Sequence, residues 1–163
     1  MEKEELNRIV GQYGDYVFRM CYLYLKDRYL AEDVTQETFL SVYIKYDSLR
    51  DKTQEKNWII QIAVNKCRSM LRKKQFRMEH VGLVLLSEDA RKTDFDGQEE
   101  SLSEAVMNLS IKEREVIIAY YYQEMSVKEV AKLFRISEAA VLQRLKRGRE
   151  HLKQQLGTEM EDL

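Results

Sequence analysis

The chain has 163 residues, with 27 lysines and arginines against 28 aspartates and glutamates, six glycines and no proline. This composition favours helices joined by short connections and argues against a β-sandwich or barrel, which needs many turn residues. No apolar run approaches the roughly 20 residues of a membrane span, and the acidic start, Met-Glu-Lys-Glu-Glu, is unlike a secretory signal. We therefore expect an all-α protein that works in the cytoplasm.

The formal net charge of −1 conceals three segments of different character. Residues 1–76 carry a net charge of +3, residues 77–104 carry −5, and residues 105–163 carry +1. Cys21 and Cys67 lie far apart, each within a helical pattern, which predicts buried thiols in a reducing compartment. The charge pattern predicts two helical domains separated by an acidic stretch.

Apolar periodicity predicts four helices in the N-terminal domain, over residues 4–11, 13–26, 29–46 and 56–75. In the third helix, Asp33, Gln36 and Glu37 follow an i, i+3, i+4 spacing and therefore share one face. A solvated stripe is the ordinary explanation of such a face, and a polar docking surface is the functional one.

The fourth predicted helix separates apolar from basic side chains. Its apolar face is formed by Ile59, Ile62, Ala63, Cys67 and Met70. The opposite side carries Gln61, Asn65, Arg68 and Arg72. From Lys66 onward the sequence contains six bases and no acid: Lys66, Arg68, Arg72, Lys73, Lys74 and Arg77. Together with the neighbouring Trp58, such a helix suits a nucleic-acid backbone with unstacked bases nearby. Binding to a membrane surface is the alternative for a basic amphipathic helix.

The middle of the chain is predicted to be a flexible linker. Residues 86–100 are polar and acidic and lack periodicity, so they bury too little apolar surface to fold alone. The predicted organisation is therefore an N-terminal domain (1–76), an acidic linker (77–103) and a C-terminal domain (104–163).

Residues 126–149 predict a helix-turn-helix. Ser126 and Glu129 form a capping box at the start of its first helix. The apolar face of that helix comprises Val127, Val130, Ala131 and Phe134. Arg135 occupies the turn position where such motifs usually carry glycine, and a left-handed conformation costs a non-glycine residue about 1 kcal/mol. Ser137 is a good N-cap for the second helix.

The second helix of the motif combines a core side with a basic side. Val141 and Leu145 are predicted to be buried. The predicted outward residues are Ser137, Ala139, Ala140, Gln143, Arg144 and Arg147. Six basic residues stand against two acidic ones between positions 135 and 153, which is an electrostatic footprint of DNA binding. Two ordinary amphipathic helices packed at a corner are the alternative.

Taken together, these segments resemble the bacterial sigma factors of the extracytoplasmic-function type, and the resemblance covers nearly the whole chain. Ala31–Leu40 is similar to the family's Ala-Glu-Asp-x-x-Gln-Glu-x-Phe helix, which docks on the clamp helices of the largest polymerase subunit. Trp58–Asn65 and the basic run after it are similar to the helix that handles the promoter element nearest the start site. Leu109–Arg149 is similar to the domain that reads the element further upstream.

The resemblance implies a sigma factor with no catalytic chemistry of its own and no cofactor or small-molecule substrate. Its implied partners are core RNA polymerase, double-stranded promoter DNA, a melted non-template strand and an anti-sigma factor, which would hold it at the membrane when itself membrane-bound. The implied polymerase-binding residues are Asp33, Gln36 and Glu37. The 47–57 loop would take an extruded base. The implied contacts to the nearer element are Trp58, Gln61, Asn65, Arg68, Arg72, Lys73 and Lys74, and those to the upstream element are Ser137, Ala139, Ala140, Gln143, Arg144 and Arg147.

Three positions depart from the family pattern. Ser110 stands where proline is common, and it is expected to form its own capping box with Glu113. Arg135 replaces the turn glycine. Glu55 stands three residues before the tryptophan, where an aromatic residue is common in the base-capturing loop, which suggests an unusual sequence preference near the start site.

Two other classes of protein remain as alternatives. A dimeric helix-turn-helix regulator would carry a dimerisation or ligand domain at its N-terminus, whereas this chain has a second basic helix there. A helical enzyme would need catalytic or metal-binding groups. His80, His151 and two distant cysteines form neither an obvious metal site nor a Cys–His pair.

Overall fold

A computed structural model of the protein describes residues 1–81 and 97–157, apart from the side chains of residues 74–81 and 97–100. The described chain is helical and contains no strand. Its α-helices are α1 (Lys3–Leu25), α2 (Arg28–Lys45), α3 (Glu55–Val81), α4 (Gly97–Met107), α5 (Ile111–Ile117), α6 (Val127–Phe134) and α7 (Glu138–Leu156). They form two compact units, one with α1 to α3 and one with α4 to α7. The predicted fold class, all-α with two small helical domains, is confirmed.

Helix α1 is continuous, so the predicted break near residue 12 is wrong. Its two glycines, Gly11 and Gly14, each cost the helix about 1 kcal/mol relative to alanine. Ile9, Val17 and Met20 flank them and are fully buried. Burial of a large apolar side chain contributes about 1.5–3 kcal/mol, so packing of this face outweighs the weak local helix propensity.

The first unit is built from α1, α2 and α3, which pack on one another. Helix α2 begins after Asp27, whose carboxylate accepts hydrogen bonds from the N–H groups of Tyr29 and Leu30 at 2.9 and 3.1 Å. Cys21 and Cys67 are buried free thiols, as predicted. Their mutual contact and their burial raise the pKa of Cys67.

The buried side of α3 differs from the predicted one. It comprises Ile59, Ile60, Ala63, Val64 and Cys67. The predicted core residues Ile62 and Met70 are only half-buried. Helix α3 packs against both α1 and α2. Its buried side therefore spans the residues that face either of these two helices. The amphipathic pattern identified the helix but misplaced the centre of its core side.

The second unit contains the predicted helix-turn-helix. Helix α5 continues into a π-helical turn, Ile118–Tyr122, and α7 packs against α4, α5 and α6. A Cβ atom at Gly148 of α7 would lie 2.9 Å from Cγ1 of Ile117, so only glycine permits this close approach of α7 to α5.

The second predicted capping box, Ser110 with Glu113, is half formed. The Ser110 hydroxyl accepts a hydrogen bond from the Glu113 N–H at 3.3 Å. The Glu113 carboxylate instead accepts from the Ser110 hydroxyl at 3.0 Å and pairs with His151 at 2.8 Å. Glu113 is buried, so its carboxylate is drawn to partners on the neighbouring α7.

Both ends of the predicted linker are helical, because α3 extends to Val81 and α4 begins at Gly97. The middle of that linker, residues 82–96, lies outside the described residues. Within 1–81 and 97–157, no helix has the length and apolar character needed to cross a membrane.

Candidate polymerase-binding and nucleic-acid interfaces

Helix α2 presents a continuous exposed face. Asp33, Gln36 and Glu37 are all exposed, as their spacing predicted. The same spacing of three and four residues extends the face to Leu40 and Ile44, which are 59% and 68% exposed. We call these five residues the docking face. Sequence reasoning assigned no role to Leu40 and Ile44, although both fall outside the buried row that contains Ala31 and Val34.

The docking face combines acids and an amide with two large apolar side chains. Single exposed apolar residues are common on protein surfaces, but adjacent ones rimmed by polar groups mark sites of protein binding. Leu40 and Ile44 are one helical turn apart. The face is therefore suited to a protein partner that offers apolar and basic groups together.

Helix α3 carries the predicted nucleic-acid residues on the side away from the core. Trp58, Gln61, Asn65, Arg68 and Arg72 recur every three or four residues and so lie along one side, which we call the polar face. The side chains of Gln61, Asn65 and Arg72 are exposed, whereas those of Trp58 and Arg68 are half-buried.

The polar face offers an indole, two amides and two guanidinium groups in sequence along the helix. These groups suit stacking on bases, hydrogen bonds to base edges and contacts to phosphates, respectively. Lys73 is also exposed, at the edge of this face. Lys74 belongs to the residues whose side chains are not described.

The segment between α2 and α3 is ordered by local contacts. It contains two 3₁₀ turns, Tyr46–Ser48 and Lys52–Gln54. Asp51 caps the second turn, since its carboxylate accepts from the Thr53 N–H at 3.0 Å and from the Thr53 hydroxyl at 2.6 Å. The Lys52 ammonium lies 3.6 Å from the centroid of the Tyr46 ring.

Glu55 lies at the end of this segment and belongs to the lining of a cleft that also contains Tyr46, Lys52, Arg8 and Glu5. It is buried, with 7% of its surface exposed. Its carboxylate accepts hydrogen bonds from Arg8 at 2.8 and 3.3 Å, from the Tyr46 hydroxyl at 2.8 Å and from the Tyr13 hydroxyl at 3.1 Å. Arg8 also donates to Glu5 at 2.7 Å. We call Glu55, Arg8, Tyr13, Tyr46 and Glu5 the Glu55 network.

The ionisation of the Glu55 network is consistent with charged carboxylates and neutral tyrosines. Burial pushes the pKa of Glu55 upward, but hydrogen bonds from Arg8, Tyr46 and Tyr13 outweigh it, and the net shift of this pKa is downward. Burial, followed by the hydrogen bonds to Glu55 and Glu5, raises the pKa of Tyr46 to about 12. A buried carboxylate is tolerated only when charged or polar donors surround it, and here they do.

The helix-turn-helix has the predicted local geometry. The Ser126–Glu129 capping box is complete, with the Glu129 N–H 3.1 Å from the Ser126 hydroxyl. Arg135 adopts the left-handed conformation that glycine usually supplies, with φ 56° and ψ 47°. The N–H of Ile136 then reaches the carbonyl of Ala131 at 3.0 Å, which closes the helix end as a Schellman cap.

Helix α7 has the predicted N-cap and the predicted buried residues. Ser137 caps it by accepting from the Ala140 N–H at 3.0 Å, and Val141 and Leu145 are fully buried. Four of the predicted outward residues are exposed: Ser137, Ala139, Gln143 and Arg147. The other two, Ala140 and Arg144, are half-buried. The side chain of Arg149 lies against the π-helical turn that follows α5, where its guanidinium donates a hydrogen bond to the Tyr121 hydroxyl.

Comparison with known proteins identifies the family. The family model described as Sigma-70 region 2 matches residues 9–77, and the one described as Sigma-70, region 4 matches residues 99–152. The first match contains the docking face and the polar face of α3, and the second contains α5, α6 and most of α7.

Two relatives of similar length are ECF RNA polymerase sigma factors. The ECF RNA polymerase sigma factor SigM of Bacillus subtilis (strain 168) is 31% identical over 158 residues, covering 91% of this chain and 93% of SigM. The sigma factor SigW of the same organism is 29% identical over 164 residues, covering 91% and 87%. The fold is similar to that of RpoE in its complex with the anti-sigma factor NepR from Bartonella quintana, with a TM-score of 0.77 and 21% identity over 96% of this chain and 99% of that one. The chain thus belongs to the ECF sigma factors of the sigma-70 family and is an alternative sigma factor that directs transcription initiation.

Proposed function

We propose that the two units divide the tasks of promoter recognition. In the first unit, the docking face of α2 binds core RNA polymerase, and the polar face of α3 binds and melts the promoter element nearer the start site. In the second unit, α7 reads the upstream element. The observation that carries this proposal is the polar face itself: an indole, amides and guanidinium groups aligned opposite a completely buried side.

Docking on the polymerase is supported by the mixed chemistry of the α2 face. Asp33 and Glu37 supply negative charge on one helical turn, and Leu40 continues the face with an apolar group. Complementary charge selects the partner and speeds encounter, whereas the apolar side chains supply affinity when they are buried. A polymerase surface with basic and apolar groups fits both requirements.

Opening of the nearer element is supported by the residues around Asn65. Its exposed amide lies one turn from Gln61 and one turn from Arg68. Unstacking a base costs a few kcal/mol, and base–aromatic stacking returns about 1–3 kcal/mol. In this proposal, Trp58 stacks on an extruded base, Asn65 hydrogen-bonds that base, and Arg68 and Arg72 hold phosphates.

Reading of the upstream element is supported by the geometry of α7. One side of its first turn faces solvent, where Ser137 and Ala139 are exposed beside Gln143. Residues at the start of a recognition helix reach base edges in the major groove. Arg144 and Arg147 lie further along and contact a guanine edge and the phosphates, respectively.

The same exposed surfaces also suit an anti-sigma factor. A partner that covers the docking face would compete with the polymerase for Leu40 and Ile44. Such a partner would hold the protein inactive in the cytoplasm or at the membrane. The protein itself performs no catalysis and needs no cofactor in this proposal, because the polymerase supplies the chemistry.

The proposal is tested by transcription in vitro with purified core polymerase. Asn65→Ala is expected to leave formation of the closed complex unchanged and to reduce the permanganate reactivity of thymines near the start site. Asn7→Ala, at an exposed asparagine of α1, is the matched control and is expected to behave as wild type. Full permanganate reactivity in the Asn65→Ala holoenzyme would remove Asn65 from the melting site.

Docking is tested separately by charge reversal. Asp33→Lys with Glu37→Lys is expected to abolish binding to core polymerase while helical content stays unchanged, because both side chains are exposed. Reversal of two exposed acids on α1, Glu4 and Asp15, is the control. Equal capture of the polymerase by both double variants would contradict the assignment of the docking face.

A further inference from the structure

Trp58 connects the polar face of α3 to the rest of the first unit. It is the only tryptophan of the chain. Its ring meets the Tyr46 ring edge-on, with centroids 6.3 Å apart and an interplanar angle of 63°. The position of the indole that would stack on promoter bases therefore depends on the position of Tyr46.

Tyr46 is held at its ring and at its hydroxyl. The Lys52 ammonium covers one face of the ring at 3.6 Å from the centroid. The hydroxyl lies 2.8 Å from Glu55 Oε1 and 3.1 Å from Glu5 Oε1. Because the ring is buried and bonded at its tip, it has little freedom to rotate away from Trp58.

Glu55 is held in turn by Arg8 of α1, which lies 47 positions earlier in the chain. The two guanidinium nitrogens of Arg8 each contact one carboxylate oxygen, at 2.8 and 3.3 Å. Paired contacts of this kind fix orientation as well as distance. A series of direct contacts thus runs from Arg8 to Glu55, from Glu55 to Tyr46 and from Tyr46 to Trp58.

We propose that the Glu55 network positions Trp58 on the promoter-facing side of α3, so that Arg8 of α1 determines base preference at the nearer element without touching DNA. This inference rests on the proposed role of the polar face. Arg8 and Glu55 are positioning residues, and Trp58 is the residue that contacts the base. The carboxylate of Glu55 fixes Tyr46 through a directed hydrogen bond, and the edge-on contact of Tyr46 fixes the angle at which Trp58 is presented.

The first test follows Trp58 directly and requires no polymerase. In the full chain, Arg8→Ala is expected to shift the tryptophan emission to longer wavelength and to increase its quenching by acrylamide. Arg28→Ala is the matched control, because Arg28 is similarly exposed and also pairs with a glutamate, at 3.3 Å on α2. Arg8→Lys retains one charged contact and is expected to restore part of the wild-type spectrum.

The second test measures base preference in the holoenzyme, on promoters randomised at the nearer element. Arg8→Ala is expected to reduce discrimination at one or two positions there by about fivefold, the effect of one lost hydrogen bond or contact. Preference at the upstream element should stay as in wild type. Tyr46→Phe keeps the ring and removes its hydroxyl, so it serves if Arg8→Ala does not fold, and a smaller change in the same direction is expected.

The results separate this inference from the proposed function. If Arg8→Ala and Tyr46→Phe change neither the Trp58 spectrum nor the base preference, the Glu55 network only stabilises the fold and the inference is wrong. If the Trp58 spectrum changes and base preference does not, the inference is also wrong. If Trp58→Ala itself leaves preference and melting unchanged, the proposed role of the polar face fails instead.

Discussion

The most direct test of the docking face replaces its apolar residues. Leu40 and Ile44 are 59% and 68% exposed, so a partner is free to bury most of each side chain. Complete burial of such a side chain contributes about 1.5–3 kcal/mol. The share still available on binding is therefore roughly 1–2 kcal/mol for each residue, or about a 5- to 30-fold change in Kd.

We expect Leu40→Ser with Ile44→Ser to weaken binding to core polymerase by roughly 100-fold, somewhat less than two independent effects because the residues are neighbours. The free energy of unfolding should change by less than about 0.5 kcal/mol per residue, as is usual for surface substitutions. The measurement is fluorescence anisotropy of the labelled protein titrated with core enzyme, alongside urea unfolding.

Val10→Ser is the matched control, because Val10 is an apolar residue of α1 that is 42% exposed. It should bind polymerase as wild type does. A double variant at Leu40 and Ile44 whose Kd stays within about twofold of wild type would refute the reasoning, since buried apolar surface must appear in the affinity.

Three further predictions concern the upstream element, the Glu55 network and the packing of α7 on α5. Arg144→Ala should reduce base discrimination at the upstream element by about 1–3 kcal/mol, whereas Lys146→Ala should weaken binding equally on all sequences. If Arg144→Ala instead weakens binding equally on cognate and scrambled elements, Arg144 contacts only the DNA backbone. The pKa of Tyr46 is raised from 10.0 to about 12 in the folded protein, so the neutral hydroxyl stabilises the fold. This stabilisation is complete below pH 10 and is lost as the pH rises to 12. Urea unfolding should therefore show a loss of up to about 2–3 kcal/mol across that interval, and an identical loss in Tyr46→Phe would exclude this source. Gly148→Ala places a Cβ 2.9 Å from Ile117 Cγ1. The overpacking costs about 1–3 kcal/mol, which outweighs the gain in helix propensity of about 1 kcal/mol. Calorimetry should therefore show a lower Tm, and an unchanged Tm would contradict this prediction.

Sequence alone determined the features that depend on near neighbours. Ser126 and Ser137 cap helices through N–H groups three residues away, so their roles are visible in the order of residues. The spacing of Asp33 and Glu37 places both on one side of a helix whatever else packs against it. Val141 and Leu145 were likewise predictable, because the apolar side of a helix is set by its period.

Tertiary structure decided the features that depend on which distant elements meet. The sequence around Glu55 shows a charged residue at an aromatic position, but its burial follows from Arg8, which arrives from another helix. Leu40 and Ile44 are as apolar as any core residue, and they stay exposed because the packing of α2 on α1 and α3 uses its other side. Gly148 is required only because α5 passes beside it. Periodicity and capping act within about one helical turn, whereas burial and long-range ion pairs are defined only when the helices are packed.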